Sequence, residues 1–165
     1  MRSKFPKFIT TLLVSSLVFF VTACGGAKTL APDLDLSTLA DDLLSYIAFE
    51  DKDFAPLPEQ LWDRYIDQVD RADLKAHVVI ASGGITAEEI ALFEAVDETA
   101  AQRVEQAMKD RFEYFRTSFG NYTPEQLVNL EDPALIRNGN YVFSVISGEN
   151  DKARELINSW ISKQK

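Results

Sequence analysis

Histidine and cysteine, the side chains most often used as metal ligands and nucleophiles, each occur once in the 165 residues, as His77 and Cys24. The acids nearest His77 in sequence are Asp73 and Asp70, four and seven positions before it. A zinc site needs three or more ligands, usually His and Cys, so no metal ligand set is expected. Serine–histidine–aspartate catalysis is allowed by composition, but no nucleophile elbow surrounds any serine. The acid pairs Asp41-Asp42, Asp51 with Asp53, and Glu88-Glu89 could hold calcium or do acid–base work. None has the Asp-x-Asp-x-Asp-Gly order of an EF-hand. Glycoside hydrolysis would need two carboxylates facing across a cleft, and solvated charge is the plainer reading. Ser82-Gly83-Gly84 could offer amides to an anion or simply turn a hairpin. No catalytic residue and no cofactor is therefore expected.

Lys and Arg total 17 against 26 for Asp and Glu, a formal net charge of -9. That balance argues against nucleic acid and against electrostatic docking on anionic lipid. Apolar residues at 46% are enough for a core. Arg2, Lys4 and Lys7 precede an uncharged, mostly apolar run over residues 8–21. Fourteen helical residues span about 21 Å, short of the roughly 30 Å of a bilayer core, so the run reads as the centre of a signal peptide. It ends in Val21-Thr22-Ala23-Cys24, which resembles a lipobox: an aliphatic residue, two small residues, then the cysteine that receives diacylglycerol and is freed by cleavage. Residues 1–23 are expected to be the lipoprotein signal, residues 24–35 a lipidated tether, and residues 36–165 a single domain. Cys24 is the expected lipid attachment site, with amino-terminal acylation by a chain such as palmitate. Removing 23 residues and their three cations from 165 at -9 leaves 142 residues at -12. A mature chain of that length does not suit the two lobes of a transporter's solute receptor.

The periodicity predicts the elements that must hold everything else. Leu36, Leu39, Leu43 and Ile47 mark a helix over 36–49. Pro58 and Glu59 open a short helix containing Trp62, Tyr65 and Ile66. Residues 74–81 and 89–96 read as antiparallel strands around the Ser82-Gly83-Gly84 turn. Ala101, Val104, Met108, Phe112, Phe115 and Phe119 mark the strongest helix, over 99–119. Thr123-Pro124 starts a short helix to Leu130. Strands over 134–137 and 140–146 flank Asn138-Gly139, a strong hairpin signal. A last helix follows Gly148. The expected fold class is α+β: a four-stranded, mostly antiparallel sheet built as strand-strand-helix twice, with helices on one face, preceded by N-terminal helices.

The strands are apolar on both faces. With helices on one side only, the other face would be open and partly apolar, which points to a contact surface. His77, Val79, Phe93, Tyr141 and Phe143 are the candidate interaction residues, for an envelope protein or glycan or for a homodimer. Cover by the tether and first helix is the alternative.

Several phrases carry a resemblance: Glu89-Ile90-Ala91-Leu92-Phe93, Val104-Glu105-Gln106-Ala107 with Arg111, Tyr122-Thr123-Pro124-Glu125, and Gly139-Asn140-Tyr141-Val142-Phe143. Over roughly 39–163 the chain resembles small lipoproteins of Gram-positive bacteria built on a domain of unknown function. The resemblance implies a lipoprotein signal and this α+β domain, and no activity. The functional expectation is a lipid-anchored protein on the extracytoplasmic face of the cell membrane, a non-catalytic binding module of the envelope. A small carboxylate-dependent envelope hydrolase and an acidic inhibitor of a cationic wall hydrolase are the alternatives.

Overall fold

The computed structural model describes residues 30–164. The expected signal peptide and Cys24 lie outside the described residues. Asp35 caps helix α1 (Leu36–Tyr46) by accepting the Ser37 amide, and Leu36, Leu39, Ala40 and Leu43 form its buried stripe. The chain then makes the two-residue strand β1 (Ala55–Pro56), a 3₁₀ turn at Glu59–Leu61, and helix α2 (Trp62–Tyr65). Strands β2 (Leu74–Ala81) and β3 (Glu89–Ala95) follow. Asp97 accepts the Ala100 amide to start the long helix α3 (Glu98–Tyr122). A 3₁₀ segment at Pro124–Leu130 leads to β4 (Ala134–Asn138), β5 (Tyr141–Ile146) and helix α4 (Asn150–Lys163).

The sheet has five strands in the order β1-β2-β3-β5-β4, and every pairing is antiparallel. The α+β class stands, and the strand count rises from the expected four. The added strand carries no periodicity: it is two residues long and half proline, which fits only an edge. The second hairpin also turns one residue later than expected. Asn138 still pairs with Tyr141, and Gly139, at φ 58°, takes the first turn position, where a type II′ turn places glycine.

The expectation of helices on one face is corrected: they cover both. On one side, α3 and α2 pack Val104, Met108, Phe112, Trp62 and Ile66 against Val79, Ala91, Phe93 and Val142. On the other, α1 and α4 pack Leu39, Leu43, Ile157 and Trp160 against Ile80, Ile90, Leu92, Phe143 and Val145. Every residue of β3 and β5 is buried. Strands apolar on both faces here mean a sheet covered twice, as in a three-layer sandwich.

The candidate interaction surface on an open sheet face is corrected on the same ground. Phe93 pairs with Val142, so Val79 and Phe93 point toward α3, while Tyr141 and Phe143 point toward α1 and α4. All four are buried. Adjacent strand positions face opposite ways, so the five residues never shared a surface. Among the described residues the sheet leaves no open face for a homodimer.

The domain also begins before residue 36. Leu30 is buried, its amide donates to Asn138 Oδ1 at 3.2 Å, and the Leu34 amide donates to the Tyr141 hydroxyl at 3.1 Å. No described helix is long and apolar enough to cross a membrane.

Candidate functional site

The sheet has two unlike ends. At the hairpin end lie Asn138, Tyr141 and Glu94, and here the incoming chain is pinned. Tyr141 donates to the Ala31 carbonyl at 2.9 Å, and the Asp33 amide donates to Glu94 Oε1 at 3.2 Å. Lys75 lies 2.7 Å from Asp33 and 3.0 Å from Glu94, and its bonds to both push its ammonium up to about 12. At the loop end, past Ala81, Glu89 and Ile146, four connections meet: 47–54, 82–88, 123–133 and 147–149.

Buried polar groups hold those loops in place. Glu88, fully buried, accepts the Glu50 amide at 2.8 Å, the Asp51 amide at 2.9 Å and the Thr86 hydroxyl at 3.2 Å. Gln126 accepts the Ala87 amide at 3.1 Å and Asn129 Nδ2 at 3.1 Å. Asn150 donates to the Asn129 carbonyl at 2.9 Å, and Glu149 accepts the Ala48 amide at 3.0 Å, which holds its carboxyl below the usual range. Apart from the local Thr86–Glu88 and Asn129–Gln126 bonds, each joins segments 21 or more residues apart, so the loops are fixed by one another. Ser82 Oγ accepts the Gly84 and Thr86 amides, and Gly84 sits at φ +97°, which favours glycine.

Just inside this end, Arg111 of α3 and Glu89 of β3 form a buried pair with side chains 2% and 0% exposed. Arg111 Nε and Nη2 reach the carboxylate at 2.9 and 2.6 Å, and Nη1 donates to the Tyr65 carbonyl at 2.5 Å and to Gln68 at 3.3 Å. The guanidinium lies 4.6 Å from the Tyr65 ring and 4.3 Å from the Phe115 ring. Burial, then the charge of Glu89, push the Tyr65 phenol well above its ordinary value.

Four cavities lie at the same end, and another, of about 190 Å³ between Asp70, Asp73, Arg103 and Ala107, lies toward the hairpin end. A cleft of about 550 Å³ runs between Glu50, Asn129, Glu131 and Glu149. A second of about 550 Å³ lies between Asp51, Ile85, Thr86 and Glu125. An apolar one of about 270 Å³ lies under Pro56, Leu61 and Gly83, and one of about 190 Å³ reaches Arg111 beneath Gly84 and Tyr114. Ile85, Tyr122 and Val128 project from this region, 68%, 85% and 63% exposed.

The residues singled out from sequence are scattered. His77 lies against Trp62 with ring centroids 4.2 Å apart and the planes tilted by 48°, its Nε2 is 3.9 Å from Glu59, and burial holds its imidazole below the ordinary value. Asp41 and Asp42 are exposed on α1. Glu88 and Glu89 are adjacent yet diverge, one to the backbone of residues 50–51 and the other to Arg111. No cluster of three or more His, Cys, Asp or Glu able to hold a metal occurs among the described residues. Sequence reasoning passed over Arg111 and Tyr65 as a site. The signal was present: Arg111 interrupts the apolar stripe of α3 at the spacing that continues Val104 and Met108 to Phe115.

Residues 60–147 match a family model described as a domain of unknown function, DUF4358. The chain belongs to that family. Neither a curated protein nor a solved structure matches it. The DUF4358 match is narrower than the resemblance over 39–163: it opens just ahead of α2, closes after β5, takes in Tyr65, Glu89 and Arg111, and leaves out α1 and α4. Membership brings no activity with it, so function has to be argued from the site.

Proposed function

We propose that this chain is a lipid-anchored extracytoplasmic protein of the cell membrane that acts as a non-catalytic binding module and works through its loop end. The carrying observation is the pinning of Leu30–Leu34 at the hairpin end. Six peptide units separate Cys24 from Leu30 and reach at most about 21 Å. An acyl anchor at Cys24 therefore holds the hairpin end near the bilayer. The loop end, about 25 Å away along the strands, faces the envelope. The acidic balance gives no electrostatic hold on anionic lipid, which leaves the acyl chains to do the anchoring.

The non-catalytic part is supported by what the fully or nearly buried carboxylates do. Glu88 binds backbone amides, Glu89 binds Arg111, and Glu94 binds Lys75 and the Asp33 amide. Each holds two segments together.

Expression of the full chain in a bacterial host with an alkyne-tagged fatty acid tests the anchor. The wild type takes up label and sediments with membranes, and Cys24→Ser loses both. Label or membrane retention that survives Cys24→Ser overturns the reading.

A further inference from the structure

The cavity of about 190 Å³ at Arg111 differs in character from the others at the loop end. Its lining includes Arg64, Tyr65, Arg111, Tyr114, Phe115 and Ser118, with no Asp or Glu. In a chain at -9 that is unusual. Arg64 is exposed and enters no ion pair among the described residues. A guanidinium carries five N–H donors. Arg111 commits Nε to Glu89, both Nη1 donors to Tyr65 and Gln68, and one Nη2 donor to Glu89. The second Nη2 N–H has no acceptor among the described residues, though the side chain is 2% exposed. An unsatisfied buried donor is costly, and it belongs to a group that lines a cavity.

Charge and shape then define a ligand. Glu89 neutralises Arg111, so the cavity carries the single net charge of Arg64 and suits a monoanion. Tyr65, Tyr114 and Phe115 supply an aromatic wall, and the half-buried Ser118 hydroxyl has no partner among the described residues. The volume equals about six waters at roughly 30 Å³ each, room for a small acid or for the last residue of a peptide.

We propose that this cavity binds a small carboxylate with an apolar or aromatic body, its oxygens held by Arg64 and the free Nη2 donor of Arg111. This goes beyond the binding-module reading and does not depend on the anchor, so failure here leaves the acylation result untouched. The carboxylate could belong to a free acid or to the end of a peptide, and the experiment separates the two.

The test is amide NMR of the ¹⁵N-labelled full chain in nonionic detergent micelles, titrated with phenylacetate, phenylacetamide, inorganic phosphate and a tripeptide ending in phenylalanine. Phenylacetate or the tripeptide is expected to give saturable shifts at Gly84, Thr86 and Ser118, and whichever binds more tightly identifies the source. Arg64→Ala is expected to weaken that binding at least tenfold, with the remaining spectrum unchanged and partial recovery in Arg64→Lys. The proposal fails if phenylacetamide binds as well as phenylacetate, if phosphate binds more tightly than both acids, if neither acid saturates, or if Arg64→Ala binds as the wild type does.

Discussion

The two ends of the sheet are closed by different means. At the hairpin end a two-residue turn joins β4 to β5, residues 96–97 lead directly into α3, the 3₁₀ turn at Arg71–Asp73 enters β2, and the incoming segment is pinned beside them. Leu30, Asp33 and Leu34 each find a partner there, and the cavity beside Asp73 and Arg103 is about 190 Å³ against about 550 Å³ for each of two clefts at the loop end. At the loop end four connections have to satisfy one another. Glu88, Gln126, Asn129 and Asn150 do this through bonds spanning tens of residues. The result is a fixed framework with gaps between its members, and those gaps are the cavities. A short turn leaves little space around it, whereas loops held apart by buried polar groups leave the larger clefts.

The contrast can be broken most severely at Arg111. Arg111→Met strands Glu89 without a cation and is expected to cost about 3–5 kcal/mol in urea denaturation. The double variant Arg111→Met with Glu89→Leu recovers most of that loss, because the penalty lies in the orphaned charge. At the other end Tyr141→Phe removes the acceptor of the Leu34 amide and the donor to the Ala31 carbonyl. It is expected to cost about 1–2 kcal/mol, and limited proteolysis should now cut near residues 30–35 while the loop end stays protected.

Between the ends, His77 gives a pH dependence. Burial against Trp62 holds its folded value below the ordinary one, so the unfolded chain takes up the proton first. Its contribution is full above about pH 6.5 and falls as pH drops below that, until the folded imidazole also protonates. His77→Gln should flatten the denaturation midpoint between about pH 7 and pH 5, and an unchanged slope would assign the dependence elsewhere. The smallest effects are expected at the exposed loop-end residues. Ile85→Ser and Val128→Ser should change stability by less than about 0.5 kcal/mol, which makes them clean probes of binding.

Much of the fold was legible. The alternation in β2, the spacing from Ala101 to Phe119, and Asn138-Gly139 all marked real elements, because each is a local signal with a local cause. The layering was not legible. Val142 and Phe143 are both apolar, and periodicity cannot say whether two apolar faces are both covered or one is open. That depends on where α1 and α4 pack, which is a tertiary fact. The site was half visible. Glu89 in an apolar strand and Arg111 in an apolar stripe were each out of place, but they are 22 residues apart and only the fold brings them together.

The central claim is that the hairpin end faces the bilayer and the loop end faces away. Energy transfer tests it directly. The acylated full chain is placed in vesicles with acceptor-labelled lipid headgroups, with a donor at Asn140→Cys in one sample and at Ile85→Cys in another. The account predicts markedly stronger transfer from position 140. Equal transfer from the two positions, or stronger transfer from 85, would contradict it.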